Sequence, residues 1–333
     1  METMQINPLP IKASRIGLGT WAIGGFMWGG TDEAASIKTI IAALESGINL
    51  IDTAPVYGFG LAESIIGKAI TQWGNRETII IATKAGIDWE QGKITRNSTP
   101  AQIRKEIDAS LVRLKTDYID IYQIHWPDHT VPLEETAEAM HALLREGKIR
   151  AIGVSNFSVE QMERFIQIAP IHTSQPPYNL FERDIEKNIL PFTEKHQIVT
   201  LAYSALCRGL LSGRMHLETT FNGDDVRKAD PKFRSPRFDE YLSTIEDLQL
   251  FSQQRYGKKI LALAVRWILD RGRTIALWGA RKPQQLHGLQ DVLGWNLNMT
   301  DMQKIESILL EHIKDPIGAD FLAPPQRPAF MEI

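Results

Sequence analysis

The sequence contains a single cysteine, Cys207, among its 333 residues. An intramolecular disulfide is therefore excluded, and a reducing compartment is favoured. No run of the sequence approaches the roughly 18 apolar residues that a membrane-spanning helix needs. The N-terminal stretch METMQINPLPIKASRIG also lacks the apolar centre of a secretory signal peptide. Together these absences predict a cytoplasmic protein.

The sequence also lacks a strong excess of positive or negative charge. The formal net charge is -3, so the sequence has no basic footprint for nucleic acid or for an anionic membrane. With 43% hydrophobic and 23% charged residues, the composition is that of an ordinary globular protein. Length alone allows one large domain or two small ones. Because no linker or low-complexity segment interrupts the chain, we expect one domain over residues 1–333.

Short runs rich in Ile and Val recur along the chain, and each is followed by a helical pattern. The candidate strands are residues 15–20, 48–52, 78–83, 118–124, 149–154, 172–176, 199–203 and 274–279. Runs that are apolar on both faces and alternate with helices are typical of parallel strands covered by helices. Eight such units predict an α/β fold of the (β/α)8 or TIM-barrel type.

Several helices carry start and stop signals. Thr99 is a candidate N-cap with Pro100 at the first helical position. Ser158 stands three residues before Gln161, which is the spacing of a capping box. Gly147 is a candidate helix stop.

The alternative fold is an open doubly wound sheet, which often carries G-x-G-x-x-G after its first strand. Here the first candidate strand leads into GLGTWAIGG, which lacks that spacing.

Two segments stand apart from the repeating units. Residues 213–239 are long and polar, which predicts a functional loop or lid. The tail, residues 315–333, either drapes over the mouth of the barrel or is an unordered end.

Polar side chains follow the second, third and fourth candidate strands. The stretch INLIDTAPVYGFG delivers Asp52 and then Tyr57, while Lys84 and His125 follow the next two strands. Each residue alone has an ordinary explanation as a strand cap, a turn aromatic, a solvated lysine or a core histidine. Because barrel chemistry sits at the carboxyl ends of the strands, we expect the four to converge on one site. Asp52 is the expected partner of the Lys84 ammonium, since an unpaired buried charge is costly.

Such a set suits proton transfer to a carbonyl oxygen. A phenol has a pKa near 10, and a nearby ammonium is expected to lower it. Tyr57 would then act as the general acid or base, with His125 positioning the substrate oxygen. No protein side chain donates hydride, so this chemistry requires a nicotinamide cofactor.

At this point the sequence resembles the aldo-keto reductases. The motifs appear in family order from about residue 15 to about residue 290: GLGTW, INLIDTAPVYG with AESIIG, IATK, DYIDIYQIHWPD, EGKIRAIGVSNFS, QPPYNLFER and LAYSALCRGLLSG. The resemblance implies a (β/α)8 barrel that binds NAD(P)(H) without a Rossmann domain. It also implies a catalytic tetrad of Asp52, Tyr57, Lys84 and His125.

The same resemblance implies a set of cofactor contacts. Ser155, Asn156 and Gln175 would bind the nicotinamide carboxamide, and Tyr203 would stack on its ring. The other implied or candidate contacts are Gly19, Thr20, Trp21, Asp52, Ser204, Leu206, Arg208, Gly209, Gly279, Arg281 and Gln285. Within that set, Arg208 is a candidate for the pyrophosphate, or else it pairs with a surface acid.

The adenosine end departs from the family pattern. Gly279 stands where much of the family has a lysine, and Gln285 stands near the position of an arginine. Arg281 and Lys282 remain available to a 2'-phosphate, and a helix near Pro283 would add backbone donors. We therefore expect NADP(H) rather than NAD(H).

The substrate is expected to be a small molecule. The candidate substrate contacts are Trp28, Tyr57, Phe59, Trp89, His125 and Trp126, with the tryptophans and Phe59 placed in loops after the first four strands. An aromatic mouth of this kind suits small aldehydes, ketones, sugar carbonyls or the corresponding alcohols.

Three other functions have weaker support in the sequence. His125 and His129 suggest a metal, but no third ligand is evident, so we expect none. A barrel isomerase or aldolase would need Lys84 neutral for a Schiff base, which Asp52 disfavours. The third is a cofactor-sensing binding protein on the same barrel, resembling the potassium-channel beta subunits, whose similar residues leave that alternative open. The sequence does not determine the oligomeric state.

Overall fold

The architecture is taken from a computed structural model that describes residues 1–90 and 92–327. The strands are β1 (Thr3–Met4), β2 (Ala13–Ser14), β3 (Ile16–Gly19), β4 (Leu50–Asp52), β5 (Ile80–Ala85), β6 (Ile87–Glu90), β7 (Lys93–Arg96), β8 (Ile119–Ile124), β9 (Ile149–Ser155), β10 (Thr173–Gln175), β11 (Val199–Ala202) and β12 (Thr274–Gly279). The α-helices are α1 (Glu33–Glu45), α2 (Leu61–Trp73), α3 (Pro100–Leu114), α4 (Leu133–Arg145), α5 (Val159–Ile166), α6 (Ile189–Lys195), α7 (Arg237–Tyr256), α8 (Ile260–Leu269) and α9 (Met299–His312).

Eight parallel strands close into a barrel in the order β3-β4-β5-β8-β9-β10-β11-β12. The circle closes where β12 pairs with β3, with Leu277 opposite Gly17. A Cβ atom at Gly17 would lie 2.9 Å from a methyl carbon of Leu277, so only glycine fits this position without displacing its neighbour. Each of the eight predicted strands takes part, which confirms the predicted barrel. The weakest of them, residues 172–176, is reduced to Thr173–Gln175.

Alternation along the strands divides the core into two layers. In β5, Ile80 and Ala82 belong to the cluster inside the barrel, whereas Ile81 belongs to the larger cluster between strands and helices. Successive strand residues point to opposite faces, so a strand that is buried on both faces reads as a continuous apolar run. Ile6 and Leu9, between β1 and β2, also join the inner cluster.

The capping signals act as predicted. The Thr99 side chain accepts a hydrogen bond from the Gln102 amide at the start of α3. Ser158 and Gln161 form a reciprocal capping box at the start of α5. Gly147 lies just beyond the C-cap of α4, with a φ of 74°.

Two connections differ from their predicted form. Residues 213–239 are not a plain loop, because they contain the 3-10 turns Val226–Lys228 and Pro231–Phe233 and the start of α7 at Arg237. The connection after β5 forms an antiparallel hairpin of β6 and β7, which places Trp89 in a strand and not in a loop. None of the helices in the described ranges combines the length and apolarity needed to cross a membrane.

The buried carboxyl group of Glu106 should make the stability of the fold depend on pH. Glu106 on α3 accepts a hydrogen bond from the Gly86 amide at 2.7 Å, while its Oε1 is buried without a partner among the described residues. Burial raises the pKa of Glu106 from 4.5 to about 8, against the opposing effect of the Gly86 hydrogen bond. Between these two values the folded protein binds more protons than the unfolded chain.

The free energy of unfolding should therefore fall by a few kcal/mol as the pH rises from about 5 to about 8 through this group. In Glu106→Gln this contribution disappears, because an amide does not titrate. Urea denaturation at both pH values, with the exposed Glu311→Gln as the control, measures the difference. Parallel pH profiles for the wild type and Glu106→Gln would contradict the assignment.

Candidate active site

A cavity of about 530 Å³ opens at the carboxyl ends of the barrel strands. Its lining includes every predicted cofactor contact: Gly19, Thr20, Trp21, Asp52, Ser155, Asn156, Gln175, Tyr203, Ser204, Leu206, Arg208, Gly209, Gly279, Arg281 and Gln285. The carboxyl ends of parallel strands meet at one end of a barrel, so residues that are far apart in the sequence share this wall.

An ion pair lies at the floor of the cavity. Lys84 is completely buried, and its Nζ lies 3.0 and 2.9 Å from the two carboxylate oxygens of Asp52. The same ammonium donates to the Thr53 carbonyl at 2.7 Å and lies 3.3 Å from the Tyr57 hydroxyl. The structure thus brings together the acid, the amine and the phenol that the sequence singled out.

Glycine allows the loop that carries Tyr57 to approach the loop after β3. A Cβ atom at Gly58 would lie 2.1 Å from the Gly24 carbonyl oxygen, and one at Gly24 would lie 2.5 Å from the Tyr57 backbone. The Tyr57 ring then packs between Trp21, with centroids 6.1 Å apart, and His125, with centroids 5.8 Å apart. This packing holds the phenol at the ammonium.

The Tyr57 hydroxyl should hold its proton at neutral pH. Burial and the Asp52 carboxylate raise the pKa of Tyr57 well above 10. This differs from the lowering that was expected from Lys84 alone. The reason is that burial disfavours a charged phenolate, and the nearby Asp52 carboxylate adds to that effect, so that the two together outweigh the stabilisation offered by Lys84.

His125 is neutral. It follows β8, and burial together with the Lys84 charge holds its pKa well below 6.5. A neutral imidazole can donate one hydrogen bond and accept another. It can therefore donate a hydrogen bond to the oxygen of a carbonyl while remaining neutral.

Two glutamine side-chain amides contact the Asp52 carboxylate. Gln175 donates to Asp52 Oδ1 at 2.7 Å, and Gln123 lies 3.4 Å from the same oxygen. Gln123, which is completely buried, was missed in the sequence. A signal was present, because Gln123 precedes His125 by two residues and so shares its side of the strand.

The residues expected at the nicotinamide carboxamide form one chain of hydrogen bonds. Ser155 Oγ donates to the Gln175 carbonyl at 2.7 Å. Asn156 donates to the His125 carbonyl at 3.0 Å and accepts from the Tyr203 hydroxyl at 3.0 Å. The site is therefore preorganised, and its side chains are fixed by one another.

Arg208 is part of a buried cluster of four charges. Its guanidinium binds Asp230 at 2.7 Å and Ser204 Oγ at 2.9 Å, and it also contacts Glu182. Lys232 completes the cluster, with Nζ 2.9 Å from Glu182 and 3.5 Å from Asp230. Arg208 therefore pairs with two buried acids and not with a surface acid, while it also lines the cavity, and its contact with a pyrophosphate stays a prediction.

The cluster is charged. Burial by itself would raise the pKa of Glu182, but Arg208 and Lys232 outweigh it and leave that pKa below its usual value. Two cations and two carboxylates then balance inside the protein, as buried charges must. Arg208 consequently fixes the loop after β11, where Ser204 has a φ of 58°.

The end of the cavity that is expected to hold adenosine is built around Gln285. Its side-chain oxygen accepts hydrogen bonds from the Arg281 and Lys282 amides at 2.8 and 3.0 Å, so this side chain caps a turn. The expected helix near Pro283 is a single 3-10 turn, Pro283–Leu286. Arg281 also donates to the Trp28 carbonyl at 2.6 Å.

The substrate side of the cavity differs in part from the expectation. Trp28, Tyr57, His125 and Trp126 line it. Phe59 and Trp89 are not among the lining residues, because their rings pack on each other 5.8 Å apart on the hairpin side. Lining residues that the sequence analysis missed include Phe26, Ile87 and Ile94. The tail residues Phe321–Pro325 also line the cavity, which is one of the two arrangements considered for the tail.

The described part of the tail lies at the mouth of the cavity, whereas residues 328–333 fall outside the described residues.

The structure adds no support to the alternative of a metal site at His125 and His129. The described residues contain no group of three or more potential metal ligands, and His129 is exposed.

Comparison with known proteins shows the family to which the chain belongs. The aldo/keto reductase family model matches residues 15–310. The aldo-keto reductase YhdN of Bacillus subtilis is 58% identical over 328 residues, which cover 98% of this chain and 99% of that protein. The NADH-specific methylglyoxal reductase of Escherichia coli is 36% identical over 317 residues, 90% of this chain and 95% of that protein.

Among solved structures, the glycerol dehydrogenase of Gluconobacter oxydans superposes with a TM-score of 0.88 at 51% identity. The match covers 96% of this chain and 99% of that one. The resemblance found in the sequence motifs is thereby confirmed over nearly the whole chain. With a closed eight-stranded barrel and a family match across its length, this protein belongs to the aldo-keto reductase family of oxidoreductases.

Proposed function

We propose that this protein transfers hydride between NADP(H) and small aldehydes, ketones or sugar carbonyls, or the corresponding alcohols, with Tyr57 as the general acid and base. One observation carries the proposal. The buried Lys84 ammonium is paired with Asp52 and lies 3.3 Å from the Tyr57 hydroxyl, at the floor of the cavity. Two relatives are named for methylglyoxal and glycerol, which favours three-carbon substrates.

Each residue has a distinct task in the reduction. Neutral His125 donates a hydrogen bond to the carbonyl oxygen and orients it. Tyr57 gives its proton to that oxygen as the carbonyl carbon becomes tetrahedral, so the C=O bond becomes a C–OH bond. Lys84 stabilises the phenolate that remains, and Asp52 keeps Lys84 charged. The raised pKa of Tyr57 suits a donor that holds its proton until the substrate arrives.

The cavity fits a nicotinamide cofactor. When bound, the reduced cofactor supplies the hydride that the carbonyl carbon accepts. The chain formed by Ser155, Asn156 and Gln175 offers fixed polar groups for a carboxamide, and Tyr203 offers an aromatic face. At the opposite end, Gly279 lines the cavity and has open space where a Cβ atom would project.

A Schiff-base reaction at Lys84 has less support. The nucleophile would have to be a neutral amine. Burial does lower the pKa of Lys84, but the Asp52 charge and hydrogen bonds oppose that effect. An amine bound to two carboxylate oxygens and one carbonyl is also unable to reach a substrate.

The preference for NADP(H) rests on Arg281 and Lys282 at the adenosine end. Lys282 is exposed, and Arg281 lines the cavity. Two cations at this end suit a 2'-phosphate, which NADP(H) carries and NAD(H) lacks. A relative that is named NADH-specific makes this preference a matter for direct measurement.

Tyr57→Phe should lose turnover by about two to four orders of magnitude, because no other group can deliver the proton. The dissociation constant for NADPH should stay close to that of the wild type, since only one hydroxyl is removed. Steady-state NADPH oxidation with methylglyoxal and glyceraldehyde, together with fluorescence titration of the cofactor, measures both quantities.

Tyr256→Phe on α7 is the matched control and should leave turnover unchanged. Wild-type turnover in Tyr57→Phe would remove Tyr57 from the mechanism. If the wild type binds NADPH tightly but turns over none of the carbonyls, the binding-protein alternative replaces the enzyme.

Lys282→Gln should weaken NADPH binding by roughly tenfold and leave NADH binding nearly unchanged, because a charged hydrogen bond to the 2'-phosphate is lost. Separate titrations with NADPH and NADH give the two dissociation constants. Lys105→Gln on α3 is the control for the loss of one positive charge. An equal effect on both cofactors, or tighter wild-type binding of NADH, would argue against the preference.

A further inference from the structure

The C-terminal tail forms one wall of the cavity. Phe321, Leu322 and Ala323, followed by Pro324 and Pro325, all line it. Proline has no backbone N–H group, so Pro324 and Pro325 cannot donate a hydrogen bond to the rest of the protein. Hydrogen bonds to the backbone of these two residues can therefore be made only through their carbonyl oxygens.

Arg96, the last residue of β7, supplies donors for both of these carbonyls. Its Nε donates to the Pro324 carbonyl at 2.8 Å, and its backbone amide donates to the Pro325 carbonyl at 3.1 Å. Its Nη1 donates to the Pro127 carbonyl at 2.8 Å, and the guanidinium lies 5.2 Å from the centre of the Trp126 ring. A single residue thus joins the hairpin, the tail and the loop after β8.

Trp126 makes this junction relevant to the substrate. It follows His125 directly and lines the cavity, as the tail does. The Arg96 guanidinium therefore contacts two parts of the lining on the substrate side, the tail at Pro324 and the Trp126 ring. A planar group with several donors in fixed directions can hold such a junction, whereas an ammonium offers one compact charge.

The tail has a second attachment farther along the chain. Arg327 donates to Asp128 Oδ2 at 3.3 Å and to Thr130 Oγ1 at 3.0 Å. Asp128 also accepts a hydrogen bond from the Ser98 amide at 3.0 Å. The backbone nearest the cavity, however, is held by Arg96.

We infer that Arg96 is the positioning residue of the substrate pocket, fixing the tail at Pro324–Pro325 against Trp126 and so setting the size of substrate that binds well. The inference rests on the proposed function for its substrate. It assigns Arg96 no contact with the cofactor and no part in proton transfer.

Arg96→Met should raise the KM for methylglyoxal by about tenfold, the loss expected for one charged hydrogen bond, while kcat stays within a factor of about two. The KM for a bulky aldehyde such as phenylglyoxal should rise less, because the wall can move outward. The NADPH dissociation constant should not change. Arg96→Lys should fall between the two proteins.

A second readout follows the tail directly. Chymotrypsin cuts after Phe321 or Leu322, and mass spectrometry detects the released C-terminal peptide. Cleavage should be several times faster in Arg96→Met than in the wild type, because a loosely held tail enters the protease more often. Arg104 on α3 is an exposed partner of Glu146, and Arg104→Met is the matched control for charge.

Equal KM values and equal cleavage rates in the wild type and Arg96→Met would overturn the inference. So would a fall in kcat with no change in KM, or the same changes in Arg104→Met. If the wild type turns over no carbonyl, the proposed function fails and the claim of substrate size fails with it. The chymotrypsin comparison then decides alone whether Arg96 holds the tail.

Discussion

The buried ion pair between Lys84 and Asp52 is the interaction on which the site depends. Removing an ammonium from water is costly, and the cost is met only when its hydrogen bonds are satisfied. Asp52, the Thr53 carbonyl and the Tyr57 hydroxyl satisfy them. The barrel register makes this possible, because Asp52 pairs with Ala82 and Lys84 lies two residues farther along the same face of β5.

Stability and chemistry occupy different parts of the molecule. The strands and helices are held by apolar layers on both sides of the barrel wall. The loops at the carboxyl ends are held instead by charge: the cluster of Arg208, Lys232, Glu182 and Asp230 fixes one side of the cavity, and Arg96 joins the other. Directional contacts can position a loop to within a fraction of an ångström, which apolar contacts alone do less well.

The barrel could be predicted from the sequence because its signals are local. An apolar run flanked by a helical pattern predicts a strand from nearby residues alone, and eight strand–helix units are compatible with only a few folds. The hairpin of β6 and β7 could not be found in this way. Its strands are short and half exposed, so neither run carries an apolar signature.

For the site, the sequence by itself determined which groups stand at the ends of the strands: Asp52, Tyr57, Lys84 and His125. Tertiary structure alone decided how those groups are charged and which partners they have. The burial that raises the pKa of Tyr57, the pairing of Arg208 with acids and the contact of Arg96 with the tail all depend on residues that are distant in the chain. Local patterns predict where a side chain stands along its strand, whereas its burial and charge pairing are set by neighbours that only the closed barrel brings together.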